Sequence, residues 1–118
     1  MASGGIERMG PDVDFIHKTF ASTAADNQQL VSVGATQQIY IHSVAATWLS
    51  ATTFHVHGEG TATSTNTILA IVAPTTGNIQ RNFPGRGVAF AKGVDLDIDE
   101  SGTSALTITV FYSLISLA

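Results

Sequence analysis

Two segments near the C-terminus alternate apolar and polar residues with a period of two. Val94 to Asp99 alternates aliphatic with acidic residues, and Ser104 to Ala118 alternates aliphatic residues with threonine and serine. Such a period places successive side chains on opposite faces of an extended strand, one towards a core and one towards water. No comparable run of apolar residues at helical spacing occurs, so we predict an all-β protein.

Shorter alternating segments, separated by Gly, Pro, Asn and Ser, precede these two. Their spacing leaves no room for helical crossovers, and it predicts a compact antiparallel β-sandwich, jelly-roll-like, with eight or nine short strands. In the third strand we expect Ile39 and Ile41 on one face and Val44 on the other, and we expect Pro74 to end the fifth. The predicted strands are Phe15–Phe20, Gln28–Val33, Gln37–Ala46, Thr52–His57, Thr67–Val72, Asn78–Phe83, Val88–Ala91, Val94–Ile98 and the segment from Ser104 to Ala118.

The length of 118 residues fits one domain. Residues 1–14 contain adjacent glycines, a Gly-Pro pair and mixed charge, which predicts a flexible N-terminal arm, and residues 15–118 form the single sandwich domain. The N-terminus shows no signal peptide, because a cationic start followed by an apolar stretch is missing. The apolar C-terminus is too short and too polar for a membrane anchor, so no membrane partner is expected.

Charged residues make up only 12% of the chain, about half the usual share. Scattered charge normally keeps monomers apart, so we expect self-association or docking onto a larger body. The net charge of −4 and only five scattered basic residues argue against a nucleic-acid partner. The absence of cysteine excludes disulfides, thiolate metal sites and cysteine nucleophiles.

The end of the last predicted strand is apolar on both faces. Phe111, Ile115 and Leu117 lie on its nominally outer side. A strand covered on both sides loses its alternation, and in a small sandwich a neighbouring subunit supplies the second cover most simply. We therefore predict an oligomer interface at these three residues. The alternative is that the N-terminal arm or a long loop covers them.

Histidines offer the sharpest candidate for a metal site. His55 and His57 project from the same face of a strand, with His42 as a third ligand and Glu59 as a fourth. The order His-x-His-x-Glu superficially resembles the cupin metal motif, but the cupin glutamate lies farther along and the second cupin motif is missing. Because two ligands are too few for a stable site, we favour polar residues on a solvated strand face, and we expect no metal and no cofactor.

Four carboxylates, Asp95, Asp97, Asp99 and Glu100, begin like a calcium-binding loop, but the required glycine and closing glutamate are replaced. Alternation with aliphatic residues favours a solvated acidic ridge on a strand instead. No nucleophile elbow, paired catalytic carboxylates or phosphate-binding loop occurs, so we predict no catalytic residues and no enzyme. Three aromatic residues are candidates for stacking on sugars, although core packing is favoured for the first; they are Trp48, Tyr40 and Phe83.

Three segments together resemble a known group of proteins: the polar turn 24–27, the turn 82–87 with sequence Asn-Phe-Pro-Gly-Arg-Gly, and the closing segment 105–113. Their layout resembles that of small virion proteins of tailed bacteriophages, in particular jelly-roll head decoration or cement proteins. The resemblance implies a non-enzymatic virion protein that is made in the host cytoplasm and docks on the capsid surface.

The same resemblance implies the partners. They are the protein itself, most simply as a homotrimer, and the major capsid protein or another virion protein. The N-terminal arm, with Ile6, Arg8 and Met9, is the expected capsid-docking segment. The alternative function is a carbohydrate- or receptor-binding jelly-roll module, either at the tip of a phage fibre or as a free lectin.

Overall fold

The structure is a computed structural model, and it describes residues 13–20, 25–60, 62–102 and 105–117. The described residues form antiparallel β-strands and turns and include no helix, which confirms the all-β prediction. No stretch of the described chain is a helix that could span a membrane. The strands are β1 (Asp14–Phe20), β2 (Ala25–Val31), β3 (Gln37–Gly58), β4 (Thr67–Asn82), β5 (Val88–Ala89), β6 (Leu96–Gly102) and β7 (Leu106–Ser116).

The 22-residue strand β3 organises the whole sheet. Along one side it pairs with β4 and, for two residues, with β5. Along the other side its first part pairs with β7 and its last part with β6, and β1 and β2 extend these pairings outwards. The molecule therefore has a β7 half (β1, β7 and the first part of β3) and a β6 half (β2, β6 and the last part of β3). The curled sheet is consistent with a β-sandwich.

The structure has seven strands rather than eight or nine, because two pairs of predicted strands are continuous. The third and fourth predicted strands are both parts of β3, and the fifth and sixth are both parts of β4. Pairing between β3 and β4 continues through the region expected to be a break, where Trp48 lies opposite Gly77 and Thr52 opposite Ala73. Pro74 does not stop β4, because β4 pairs with β3 alone and a residue without an N–H is tolerated on an edge strand.

The side chain of Trp48 holds the two long strands together at this point. Its indole Nε1 donates to the Thr75 carbonyl at 2.8 Å, and the Thr76 hydroxyl donates to the Trp48 carbonyl at 2.8 Å. The indole lies so close to Gly77 that a Cβ there would be 3.0 Å from Cζ2. Trp48 is buried and packs edge-on against Phe54, so its predicted place in the core is confirmed.

A β-bulge in β3 changes which residues face the core. Ile41 lies opposite Tyr112 and Ser43 opposite Phe111, so His42 is an extra residue in β3. The extra residue reverses the alternation beyond it. Val44 is therefore fully buried with Ile41, and the prediction that it faces the opposite way is wrong.

One cluster of buried apolar side chains fills the interior, and burial of this apolar area is the main stabilising contribution. The core residues are Leu30, Val31, Val33, Ile39, Ile41, Val44, Ala46, Trp48, Phe54, Val56, Leu69, Leu96, Ile98, Leu106, Ile108 and Val110.

The single domain over 15–118 stays a prediction. β1 begins at Asp14, which is within the predicted N-terminal arm. The rest of that arm before residue 13, including Ile6, Arg8 and Met9, lies outside the described residues.

Candidate functional site

His55 lies on the outer face of the sheet, the face turned away from the core, and its partner is a carboxylate. β3 and β6 are in register there, with His55 opposite Asp99. The His55 Nδ1 is 2.8 Å from Asp99 Oδ1, and the His55 backbone N–H donates to the same oxygen at 3.1 Å. Both side chains are partly exposed. The predicted shared face of His55 and His57 is confirmed, but His55 is already committed to Asp99.

His57 is fully buried, contrary to the expectation of a solvated histidine. Its Nδ1 donates to the Gly58 carbonyl. Its Nε2 has no hydrogen-bond partner among the described residues and lies 3.9 Å from Asp99 Oδ2. Asp97 lies opposite His57 in the register. The ring is thus held by its neighbouring carbonyl and faces two carboxylates on the adjacent strand.

His42 takes no part in this cluster. The proposal of His42 as a third ligand assumed that it lay on a strand next to His55, whereas both belong to the single strand β3. Thirteen residues of extended chain separate them, on the order of 40 Å. His42 Nε2 instead lies 2.7 Å from the buried Ser113 hydroxyl.

Glu59 is also committed elsewhere. Its Oε1 accepts from the Asp95 backbone N–H at 2.9 Å, and the Glu59 N–H donates to the Asp95 carbonyl. Within the described ranges, no group of three His, Cys, Asp or Glu side chains could hold a metal ion. The four candidate ligands therefore make four separate sets of hydrogen bonds.

The carboxylates of β6 do not form a solvated ridge. Asp97 is buried on the outer face, and burial raises its pKa, an effect that nearby His57 partly opposes. Asp95, which precedes the strand, accepts from the Val33 backbone N–H at 2.7 Å. Asp95 and Asp99 are partly exposed. The prediction of an acidic ridge in water is wrong, because Asp97 and Glu100 are buried and backbone N–H groups donate to Asp95 and Asp99.

Glu100 lies on the opposite, core-facing side of β6. It is 2% exposed and lies opposite Phe54, and its Oε2 accepts from the Thr52 hydroxyl at 2.9 Å. Its Oε1 has no partner among the described residues. Burial raises the pKa of Glu100, and the hydrogen bond from Thr52 opposes this only in part. The sequence carried the signal, because Glu100 is in phase with the core residues Leu96 and Ile98.

Phe111, one of the three residues of the predicted oligomer interface, belongs to a set of exposed apolar residues that we call the aromatic patch: Val13, Phe15 and Phe111. Phe15 of β1 lies opposite Phe111 of β7, and their ring centroids are 5.7 Å apart. Phe15 remains 62% exposed and Phe111 42% exposed. Ile115 and Leu117 are half-buried near the end of β7. Phe15 was not predicted, because only the β1–β7 register brings it beside Phe111. Val13, which was not predicted either, is exposed and directly precedes β1.

The aromatic residues considered for sugar binding are used within the fold. Trp48 is buried, and Phe83 packs against the core. The ring of Tyr40 is covered by the guanidinium of Arg86, whose Cζ lies 5.2 Å from the ring centroid. Trp48 is therefore closed to a ligand, and Tyr40 and Phe83 are each partly covered.

The chain shows only a slight likeness to known proteins. No protein-family model matches the chain, and no curated protein matches it. Among solved structures, the chain is similar to a protein from Bacillus endospore appendages, described as a novel family of disulfide-linked pili. The TM-score is 0.40 at 16% identity, with 92% of this chain and 88% of that chain covered. A likeness at this level carries no functional argument, and this chain has no cysteine with which to form a disulfide.

Proposed function

We propose that this protein is a non-enzymatic structural protein that works as a homo-oligomer and decorates or cements a bacteriophage capsid. The observation that carries the self-association is the aromatic patch. Two phenylalanine rings are exposed side by side on one sheet face, with the exposed Val13 two residues before Phe15, and exposed apolar surface of this kind marks contact sites. The low charge of the chain leaves little repulsion between copies.

Capsid decoration is the more specific part of the proposal, and its support is the layout of the turns and of the closing strand. A protein in that role adheres through many weak contacts, and closed symmetry multiplies them. The partner is then the major capsid protein. Carbohydrate binding has less support, because Trp48, Phe83 and Tyr40 are engaged within the chain.

Light scattering on a size-exclusion peak, at several protein concentrations, tests the self-association. We expect a mass that is a fixed multiple of 12.3 kDa. The variant Phe111→Asp should run at the mass of a single chain, because it places a charge inside the interface. Ser116→Asp, an exposed position farther along β7, is the matched control and should leave the oligomer intact. A monomeric parent protein would refute the self-association.

Co-sedimentation tests the capsid partner. The purified protein is mixed with capsids assembled from the major capsid protein of the same genome, and the pelleted fraction is measured against concentration. Saturable pelleting supports the proposal, and truncation of residues 1–12, which leaves β1 whole, should weaken it if the arm docks. Protein that stays in the supernatant at every concentration, together with binding on a glycan array, would favour the receptor-binding alternative.

A further inference from the structure

A second exposed apolar region lies on the outer face, far from the aromatic patch in the strand order. We call it the aliphatic patch: Leu49, Ala51, Val72 and Pro74. Val72 is 80% exposed and Leu49 77% exposed, and they are the two most exposed large apolar side chains of the described residues. The β3–β4 register aligns them, since Thr53 lies opposite Val72 and Ser50 opposite Thr75.

The two patches lie at opposite edges of the sheet, the aromatic patch in the β7 half and the aliphatic patch next to the β6 half. In the described chain β1 pairs only with β7 and β4 only with β3, and the part of β3 opposite Thr67–Ala73 pairs with β6 on its other side. Among the described residues, no strand pairs with the outer edge of β1 or of β4. An exposed edge strand with few charges is a template for pairing with another chain.

Two different patches on opposite edges of the sheet favour one kind of oligomer symmetry. A two-fold dimer joins one patch to its own copy, whereas a ring of three or more joins one patch to a different patch on the next subunit. We infer that β1 of one copy pairs with the Thr67–Ala73 edge of β4 in the next copy, bringing the aromatic patch against the aliphatic patch. This inference rests on the proposed self-association and specifies its second surface.

The two edges match in length and chemistry. β1 has seven residues, and Thr67–Ala73 has the same length, because Pro74 lacks the N–H needed to extend a ladder. No ionisable side chain occurs from Thr67 to Gln80, and the charges of Asp14 and Lys18 in β1 cancel. Pairing of β1 with this part of β4 would therefore place no two like charges opposite each other.

The faces also match. Residues that alternate along paired strands keep to one face of the combined sheet. Phe15 and Val72 both lie on the outer face, so pairing of β1 with β4 places them on one continuous surface across the junction. Each copy would cover apolar side chains that the isolated chain exposes.

Complementation between two broken variants tests the inference. Phe15→Asp disables the β1 edge and leaves the β4 edge intact, and Val72→Asp does the reverse. Each variant alone should run as a single chain of 12.3 kDa. A 1:1 mixture should form a dimer of twice that mass and grow no further, because only one junction in each pair is intact. Light scattering measures all three samples, and Gln80→Asp, an exposed β4 position beyond Pro74, is the control that should keep the parent mass.

The outcomes separate this inference from the function on which it rests. If Val72→Asp keeps the parent mass while Phe15→Asp is monomeric, self-association stands and the β4 edge is overturned. If both variants are monomeric and their mixture stays monomeric, the head-to-tail junction is overturned. A monomeric parent protein overturns the proposed self-association itself. Thermal unfolding of each variant shows that it is folded, and Val72→Ser, which adds no charge, should give a weaker oligomer by concentration-dependent mass.

Discussion

The two halves of the molecule bury different chemistry. In the β7 half the core is apolar, with Ile108 and Val110 of β7 in one cluster with Ile41 and Val44 of β3, all fully buried. In the β6 half the strands bury ionisable side chains as well. Those buried in the described residues are His57, Asp97 and Glu100, and all three lie in this half.

The difference shows that alternation alone does not fix the environment of a polar side chain. Asp97 and Asp99 both lie on the outer face of β6, yet Asp97 is buried whereas Asp99 is partly exposed beside His55. Glu100 faces the core with only Thr52 as its partner. Burial without an opposite charge raises the pKa of a carboxyl group. We therefore expect the stability of the β6 half to depend on pH, whereas that of the β7 half does not.

The largest expected effect is in the β7 half. Ile108→Ala removes fully buried apolar volume and should lower the free energy of unfolding by about 2–5 kcal/mol. Because no ionisable group is involved, the loss should be the same at pH 4.5 and pH 7.5. Urea denaturation at both pH values measures it. If the loss of stability differed by more than about 1 kcal/mol between the two pH values, packing in the β7 half would be coupled to an ionisable group.

An intermediate effect is expected in the β6 half. The pKa of Glu100 is raised in the folded chain above its ordinary 4.5, so the folded state binds this proton more tightly than the unfolded state. The free energy of unfolding therefore falls as pH rises from the unfolded pKa to the folded one. Glu100→Gln removes this fall and should stabilise the protein at pH 7 by on the order of 1 kcal/mol, with no gain at pH 3.5.

Thr52→Val provides the matched comparison for that experiment. The hydroxyl of Thr52 donates to the Glu100 carboxyl, and it favours the charged form. Its removal should therefore cost more at pH 7 than at pH 3.5. In a Glu100→Gln background the pH difference should disappear. Equal stability of Glu100→Gln and the parent protein at both pH values would contradict the buried-carboxyl explanation.

The smallest effect is expected on the outer face of the same half. His55 and Asp99 form a close but partly exposed pair, and such pairs contribute about 0.2–1 kcal/mol. A double-mutant cycle with His55→Ala and Asp99→Ala should give a coupling energy in that range, weaker in high salt. A coupling energy above about 2 kcal/mol would show that the pair acts as a buried network with His57.

The alternating segments predicted the class and the position of most strands because a period of two is a local property. The two features that the sequence did not predict depend on the partner strand. Residues 47–51 were predicted to separate two strands, yet β4 pairs through them with Trp48 as the connection. The bulge at His42 is invisible without β7, since it exists only as a mismatch between two strands.

In the candidate site, too, local patterns were predictable and features that depend on a partner strand were not. Phe111 was found because an apolar residue on a polar face is a local anomaly, whereas Phe15 required the register of β1. His42 was assigned to the metal candidates on the assumption of a hairpin between Gln37–Ala46 and Thr52–His57, and the continuous strand removed it. The burial of Glu100, by contrast, could have been predicted from the sequence, because Glu100 lies on the same strand face as the core residues Leu96 and Ile98.

The central position of β3 also has a consequence for the time course of synthesis. β3 and β4 follow each other in the chain and form a local hairpin, but the first part of β3 pairs with β7, so that Gln37 lies opposite Ser116. Between the synthesis of Gly58 and of Ser116, at roughly 5–20 residues per second, about 3–12 s pass. Until β7 is made, the first part of β3 is unpaired on that side and β1 has no partner. The growing chain is most exposed to aggregation then, and folding of the whole sheet waits for its last strand.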